Sequence, residues 1–108
     1  MVKSRGIVQG DINAVKAILT AVCVVWNISA KDLVGRSRKQ PLAFARQLAM
    51  ALTYRMTSFS HADVGEVFGG REHATVWHAV SVIETIEEQH KKTSKLIEAT
   101  LQQIELTN

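Results

Sequence analysis

The sequence predicts an all-α domain built around a helix-turn-helix. Apolar residues recur at helical spacing in successive segments, and no segment alternates with period two. Proline, glycine and small polar residues fall between the segments, where helices stop and start. A chain of 108 residues has the length of one domain, and 46% apolar side chains suffice for one core without staples.

Met1 to Gly10 has no period and two glycines, so it is expected to be a flexible lead-in, with the folded domain spanning residues 11–108. Asp11 is placed to cap the first helix, whose apolar stripe is Ile12, Val15, Ile18, Leu19, Val22, Val25 and Trp26. Asn27 to Ser29 ends it, and a short helical turn over Ala30 to Val34 stops at Gly35. The stretch Arg36-Ser37-Arg38-Lys39-Gln40 is wholly polar. Pro41 suits the first position of the next helix. That helix runs to about Thr57, with Leu42, Ala45, Leu48, Ala49, Leu52 and Met56 inward, Gln47, Met50 and Tyr54 on the other face, and Arg46 on the flank. Ser60 and Asp63 have capping-box spacing and open a short helix that stops at Gly69-Gly70. A longer helix follows, carrying Val76, Ala79, Val80, Ile83 and Ile86 on one face. A break near Thr93-Ser94 precedes a last helix with Ile97, Leu101 and Ile104 inward.

The net charge of +3 conceals an asymmetry. Residues 1–57 hold nine Lys and Arg against Asp11 and Asp32, whereas residues 58–108 hold four basic groups against eight acidic ones. A basic half is expected of a protein with an anionic partner, nucleic acid above all; the alternative is a solvated face that keeps the chain soluble. Cys23 is the only cysteine, which excludes an intrachain disulfide or a thiolate zinc site. No apolar stretch approaches the ~20 residues of a membrane-spanning helix, and the N-terminus lacks the pattern of a secretory signal. A cytoplasmic, nucleoid-associated protein is expected, with no membrane partner.

A short capped helix, a glycine turn and a longer helix make a helix-turn-helix, whose second helix enters the major groove by its N-terminal residues. Here these are Arg71, Glu72, His73, Ala74 and Thr75. His and Thr can donate or accept, Ala and the Thr methyl can touch a thymine methyl, and Arg can reach guanine or phosphate. The helix N-terminus adds positive potential for a backbone phosphate. Gly65 and Gly70 resemble P-loop glycines in spacing, but Arg71-Glu72 follows where Lys and Ser or Thr are needed.

The run Gly65-Glu66-Val67-Phe68-Gly69-Gly70-Arg71-Glu72-His73-Ala74-Thr75-Val76-Trp77-His78-Ala79 resembles the signature of the C-terminal DNA-binding domain of the bacterial replication initiator DnaA. The resemblance extends upstream through Arg46-Gln47-Leu48-Ala49-Met50-Ala51-Leu52 to Ile12, and downstream to about Ile97. It implies a compact six-helix fold similar to the Trp repressor, and a monomer that binds a short asymmetric box in double-stranded DNA. It implies base reading in the major groove by His73 and Thr75, with Glu72 where the family has Asp. Arg38 falls on the family's minor-groove arginine; Arg46, Gln47 and His78 match backbone-contacting or supporting positions. With this motif nearby, the cluster Arg36, Arg38 and Lys39 is expected to touch DNA, and Arg38, Lys39, Arg46 and the helix tip to clamp phosphates.

The sequence departs from the family pattern at Ala74 (a threonine), Ala62 (a proline), Tyr54 (commonly a lysine) and Phe44 (an arginine). Fewer phosphate partners flatten the salt dependence of binding, so weaker binding than that of a full initiator domain is expected. These 108 residues are expected to hold no ATPase domain of the initiator's kind, whether as a standalone regulator, a phage or mobile-element protein, or the C-terminal part of a longer chain. The expected function is therefore DNA recognition in replication initiation or its regulation, with no enzymatic activity, catalytic residue, cofactor or metal, and with replication proteins as further partners.

Two other classes remain open. One is a protein-interaction module whose acidic second half is the docking surface; the other is a Trp-repressor-like dimer joined through its last helix. His73 and His78 are five apart and no third ligand completes a metal set. Trp77 can stack on a sugar or fill a hydrophobic gap, and packing is expected. Gly69 and Gly70 read as turn-makers, Cys23, Trp26 and Met56 as core, and His61 and His90 as ordinary surface groups.

Overall fold

Six helices follow one another in the computed structural model, which describes residues 9–89 and 91–107: α1 (Gln9–Trp26), α2 (Ala30–Leu33), α3 (Leu42–Met56), α4 (His61–Val67), α5 (His73–Gln89) and α6 (Lys91–Thr107). No strand occurs among the described residues. The expected all-α class with a helix-turn-helix is the observed one.

α3 is the axis of the molecule, packed against α1, α5, α4 and α2, while α6 lies against α1 and α5. Neighbours on so many sides explain why α3 is buried almost continuously from Ala45 to Thr53 rather than along one stripe. Met50, expected on the outer face, is therefore in the core, and Met56, expected inside, is 41% exposed beyond the helix's packed middle. Alanines at 45, 49 and 51 let neighbouring helices approach closely, and Ile18, Val22, Leu48, Leu52, Phe68, Val76 and Ile83 fill the space between. The buried Thr53 hydroxyl is satisfied by donating to the Ala49 carbonyl at 2.8 Å.

Trp26 fastens three helices. Its indole N–H donates to Thr100 Oγ1 at 3.2 Å, and its ring lies 5.5 Å from that of Phe44. Cys23 is only half-buried, on the rim of the core, and desolvation pushes its thiol up from the usual range. Arg55 forms a two-pronged ion pair with Glu87, at 3.1 and 2.8 Å, joining the end of α3 to α5.

Several boundaries differ from expectation. Gln9 and Gly10 are already helical, so Asp11 lies within the first turn instead of capping it. Its carboxylate accepts from the Ser58 amide at 3.3 Å and from the Ser58 hydroxyl, a tertiary contact that no local pattern announces. Residues 1–8 of the expected lead-in, and His90, lie outside the described residues. α1 ends at Trp26, as expected, and Asn27 beyond it reverses the chain with a φ of 53°, a conformation Asn tolerates better than most residues. Pro41 is the N-cap of α3 rather than its first residue, and the Gln40 side-chain oxygen accepts from the Phe44 amide at 3.1 Å. α6 starts at Lys91, ahead of Thr93 and Ser94.

Candidate nucleic-acid interface

The interface starts with the local chemistry of α4. Ser60 Oγ accepts from the Asp63 amide, and the Asp63 carboxylate accepts from the Ser60 amide, both at 3.1 Å, so the predicted capping box is present. Val64 and Phe68 are fully buried. The turn beyond depends on three glycines. Gly69 and Gly70 have φ of +85° and +78°, the left-handed region in which a side chain is strained. Gly65 acts differently: a Cβ there would lie 2.0 Å from the Arg71 carbonyl oxygen. That close approach lets the Gly65 carbonyl accept from the amides of Gly70 (3.1 Å) and Arg71 (2.9 Å), closing the turn.

α5 then projects its first turn outward. The Glu72 carbonyl accepts from the amides of Thr75 (3.0 Å) and Val76 (3.4 Å), so Glu72 stands at the N-cap. Glu72, His73, Ala74 and Thr75 are all exposed, whereas Val76 is fully buried and anchors the turn. No later helix covers this tip among the described residues. His78, one turn beyond Ala74, is exposed as well. Trp77, expected to pack, is 59% exposed, because Val76, Ala79 and Ile83 supply the buried face and position 77 turns off it.

The loop between α2 and α3 is bound to this turn by two arginines and braced from beneath by a third. Arg36 Nη2 donates to the Gly69 carbonyl at 2.6 Å. Arg71 reaches the other way, donating to the carbonyls of Val34 (3.3 Å), Gly35 and Phe68. Arg46 lies beneath, 5% exposed, donating Nε to Leu33 at 2.7 Å, Nη1 to Ser37 at 2.7 Å and Nη2 to Asp32 at 2.8 Å. Its guanidinium is spent on carbonyls, so it supports the loop rather than offering itself to a phosphate. Arg71, expected to reach outward, is likewise half-buried and turned in. Burial and neighbouring positive charge lower the proton affinity of Arg46 and Arg71: desolvation is the largest cause in both, followed by repulsion from Arg36 at Arg46, which Asp32 opposes, and by repulsion from Arg46 and then Arg36 at Arg71. Both remain charged, and the cluster concentrates positive potential at the turn.

The sequence-predicted residues thus divide. The arginine hydrogen bonds bring the loop carrying Arg36, Arg38 and Lys39 beside the tip carrying Glu72, His73, Ala74 and Thr75. Arg38 and Lys39 are exposed; Gln47 is half-buried on α3, next to the inward Arg46. Sequence reasoning misses Gly65 as a point where two backbones touch, although its spacing from Gly69 and Gly70 is a visible signal. It also misses the inward aim of Arg46 and Arg71. His61, expected to be an ordinary surface group, stacks on Tyr54 with ring centroids 4.0 Å apart and planes within 8°.

Other surfaces offer less chemistry. Among the described residues no three His, Cys, Asp or Glu converge as metal ligands, and no helix is long and apolar enough to cross a membrane. A shallow hollow of about 330 Å³ beside α1, lined by Leu19, Thr20, Cys23, Val24 and Ala30, has almost no polar group to orient a substrate.

Comparison with known proteins agrees with this geometry. The family described as bacterial dnaA protein helix-turn-helix matches residues 15–83, from the middle of α1 through the buried part of α5. The chain is 40% identical over 91 residues to the chromosomal replication initiator protein DnaA of Chlorobaculum tepidum, covering 84% of this chain and 18% of that one. It is 32% identical over 90 residues to the DnaA of Thermodesulfovibrio yellowstonii, covering 83% and 20%. For the DnaA of Neisseria meningitidis the identity is 33% over 84 residues, covering 78% and 16%. The chain therefore spans about a fifth of the length of these curated relatives. It belongs to the bacterial DnaA helix-turn-helix family.

Proposed function

We propose that this chain is a sequence-specific double-stranded DNA-binding module acting in replication initiation or its regulation. The observation that carries the reading is the three-arginine bracket, which sets a loop with two exposed cations beside the uncovered tip of a recognition helix. Such a pairing suits a duplex gripped in adjacent grooves, with the tip in the major groove and the loop at the narrower, more negative one.

In this reading His73 and Thr75 hydrogen-bond base edges, Ala74 presents its methyl to the groove floor, and Glu72 accepts from an amino group. Arg38 enters the minor groove, while Lys39, His78 and Gln47 meet the sugar–phosphate backbone. Arg36, Arg46 and Arg71 keep loop and tip in register, and a phosphate nearby would relieve their mutual repulsion. The module binds as a monomer to an asymmetric site, carries no ATPase or other activity, and works in the cytoplasm where the chromosome is.

The test is selection of bound duplexes from a random pool, followed by titration of the winner and a shuffled control at rising salt. A recurrent asymmetric site, bound more tightly than the control and weakening as salt rises, supports the reading. Equal affinity for winner and control would defeat it, and a palindromic winner bound by two chains would replace it with a dimeric repressor.

A further inference from the structure

We infer that Trp77 reads the methyl group of a thymine at the edge of the bound site; the inference rests on the DNA-binding reading of α5. The two tryptophans of this chain are built in opposite ways. Trp26 is half-buried, its ring against Phe44 and its N–H on Thr100. Trp77 is 59% exposed and makes no ring contact among the described residues. Position 77 is one helical turn after His73, on the same side of α5, so its indole continues the surface begun by the tip. The carbonyl of Trp77 accepts from the Ser81 hydroxyl at 3.1 Å, within a helix whose other face is locked by Val76, Ala79 and Ile83. The ring is thus held out from a rigid backbone.

The chemistry selects the partner. Among its helical neighbours His73, Ala74 and Ser81 are polar or small, and Val80 is half-buried against the core, so the indole is the one large apolar group standing out from this face. The cations Arg38 and Lys39, set beside the tip through their loop, favour an anionic macromolecule. The apolar group that DNA displays on a base edge in the major groove is the thymine 5-methyl. A flat indole one turn in from the helix tip is suited to cover it and to shed water from both.

The experiment uses the duplex that wins the selection, with its thymines replaced by uracil one at a time, against the wild-type chain, Trp77→Ala and His73→Ala. Uracil keeps every hydrogen-bonding group and removes only the methyl. Burying one such group is worth about fourfold in affinity. At one thymine, uracil should weaken the wild type and His73→Ala by about fourfold and leave Trp77→Ala unchanged. A Trp77→Ala protein that responds to every uracil as the wild type does, or a wild type indifferent to all of them, would overturn the inference and leave specific DNA binding standing. A wild-type chain that binds no duplex would overturn both. Because Trp77 is exposed, its truncation should leave the helical circular dichroism and urea midpoint unaltered, so a missing response reports the missing indole and not a damaged fold.

Discussion

Arg36 donates to the Gly69 carbonyl at 2.6 Å across 33 residues of sequence, and Arg71, two residues beyond that glycine, donates back to the carbonyl of Gly35. Each guanidinium holds the segment from which the other comes. The cationic loop and the recognition-helix turn are therefore one assembly, and Arg46 underneath satisfies three more carbonyls of the same region. An exposed loop of polar residues would otherwise carry little to define its position, since it buries almost no apolar surface.

Arg46→Ala should lower stability by about 3 kcal/mol, because three charge-assisted hydrogen bonds vanish and the carbonyl of the buried Leu33 loses the guanidinium donor. Urea unfolding checks this as a fall in midpoint at unchanged m-value. Arg46→Lys should recover little of the loss, since one ammonium lacks the planar fork that reaches three carbonyls.

Gly65→Ala should cost about 3 kcal/mol or abolish folding, because the new Cβ would lie 2.0 Å from a backbone oxygen that cannot swing aside. Gly70→Ala meets no atom within 4 Å and bears only the left-handed backbone penalty, about 1–2 kcal/mol. Thermal unfolding of the pair should rank them in that order.

His73→Ala and Lys39→Ala should separate specificity from affinity. Removing a base-reading side chain should shrink the discrimination between selected and shuffled duplexes by about 1–3 kcal/mol. Removing a phosphate-binding cation should weaken both duplexes alike and reduce the salt slope by about 1. Titrations at several salt concentrations read both quantities.

Cys23 should alkylate slowly at neutral pH. Its desolvated thiol has a raised pKa, so at a given pH less thiolate is present than in a free cysteine, and the reactive fraction appears only at higher pH. The pH profile of iodoacetamide labelling, compared with urea-unfolded chain, should be displaced upward.

The helices are legible in the sequence because their signals are local. Ser60 and Asp63 are three residues apart, Gly69-Gly70 interrupt an apolar pattern, and Pro41 follows a polar run; each acts on its own neighbourhood. The tip at Glu72 to Thr75 is legible for the same reason, as the first turn after a glycine break. The aim of the arginines is not. Apart from Arg71's bond to Phe68, whether a guanidinium faces water or a carbonyl depends on partners 9 to 37 residues away, and composition records only its charge. Periodicity misplaces Met50 and Met56 because a helix packed on several sides has no single stripe. Trp77 is misplaced for another reason: the aliphatic residue usual there in the family suggests packing, whereas helical phase sets position 77 off the stripe of Val76, Ala79 and Ile83.

The most direct measurement of the central claim is backbone amide NMR of the chain titrated with its selected duplex. The loop and the helix tip should respond together, with the largest shift changes confined to residues 36–39 and 71–78 and little change along α6. Changes centred on α1 or α6, or a response at the tip with a silent loop, would contradict a single bracketed DNA-binding surface.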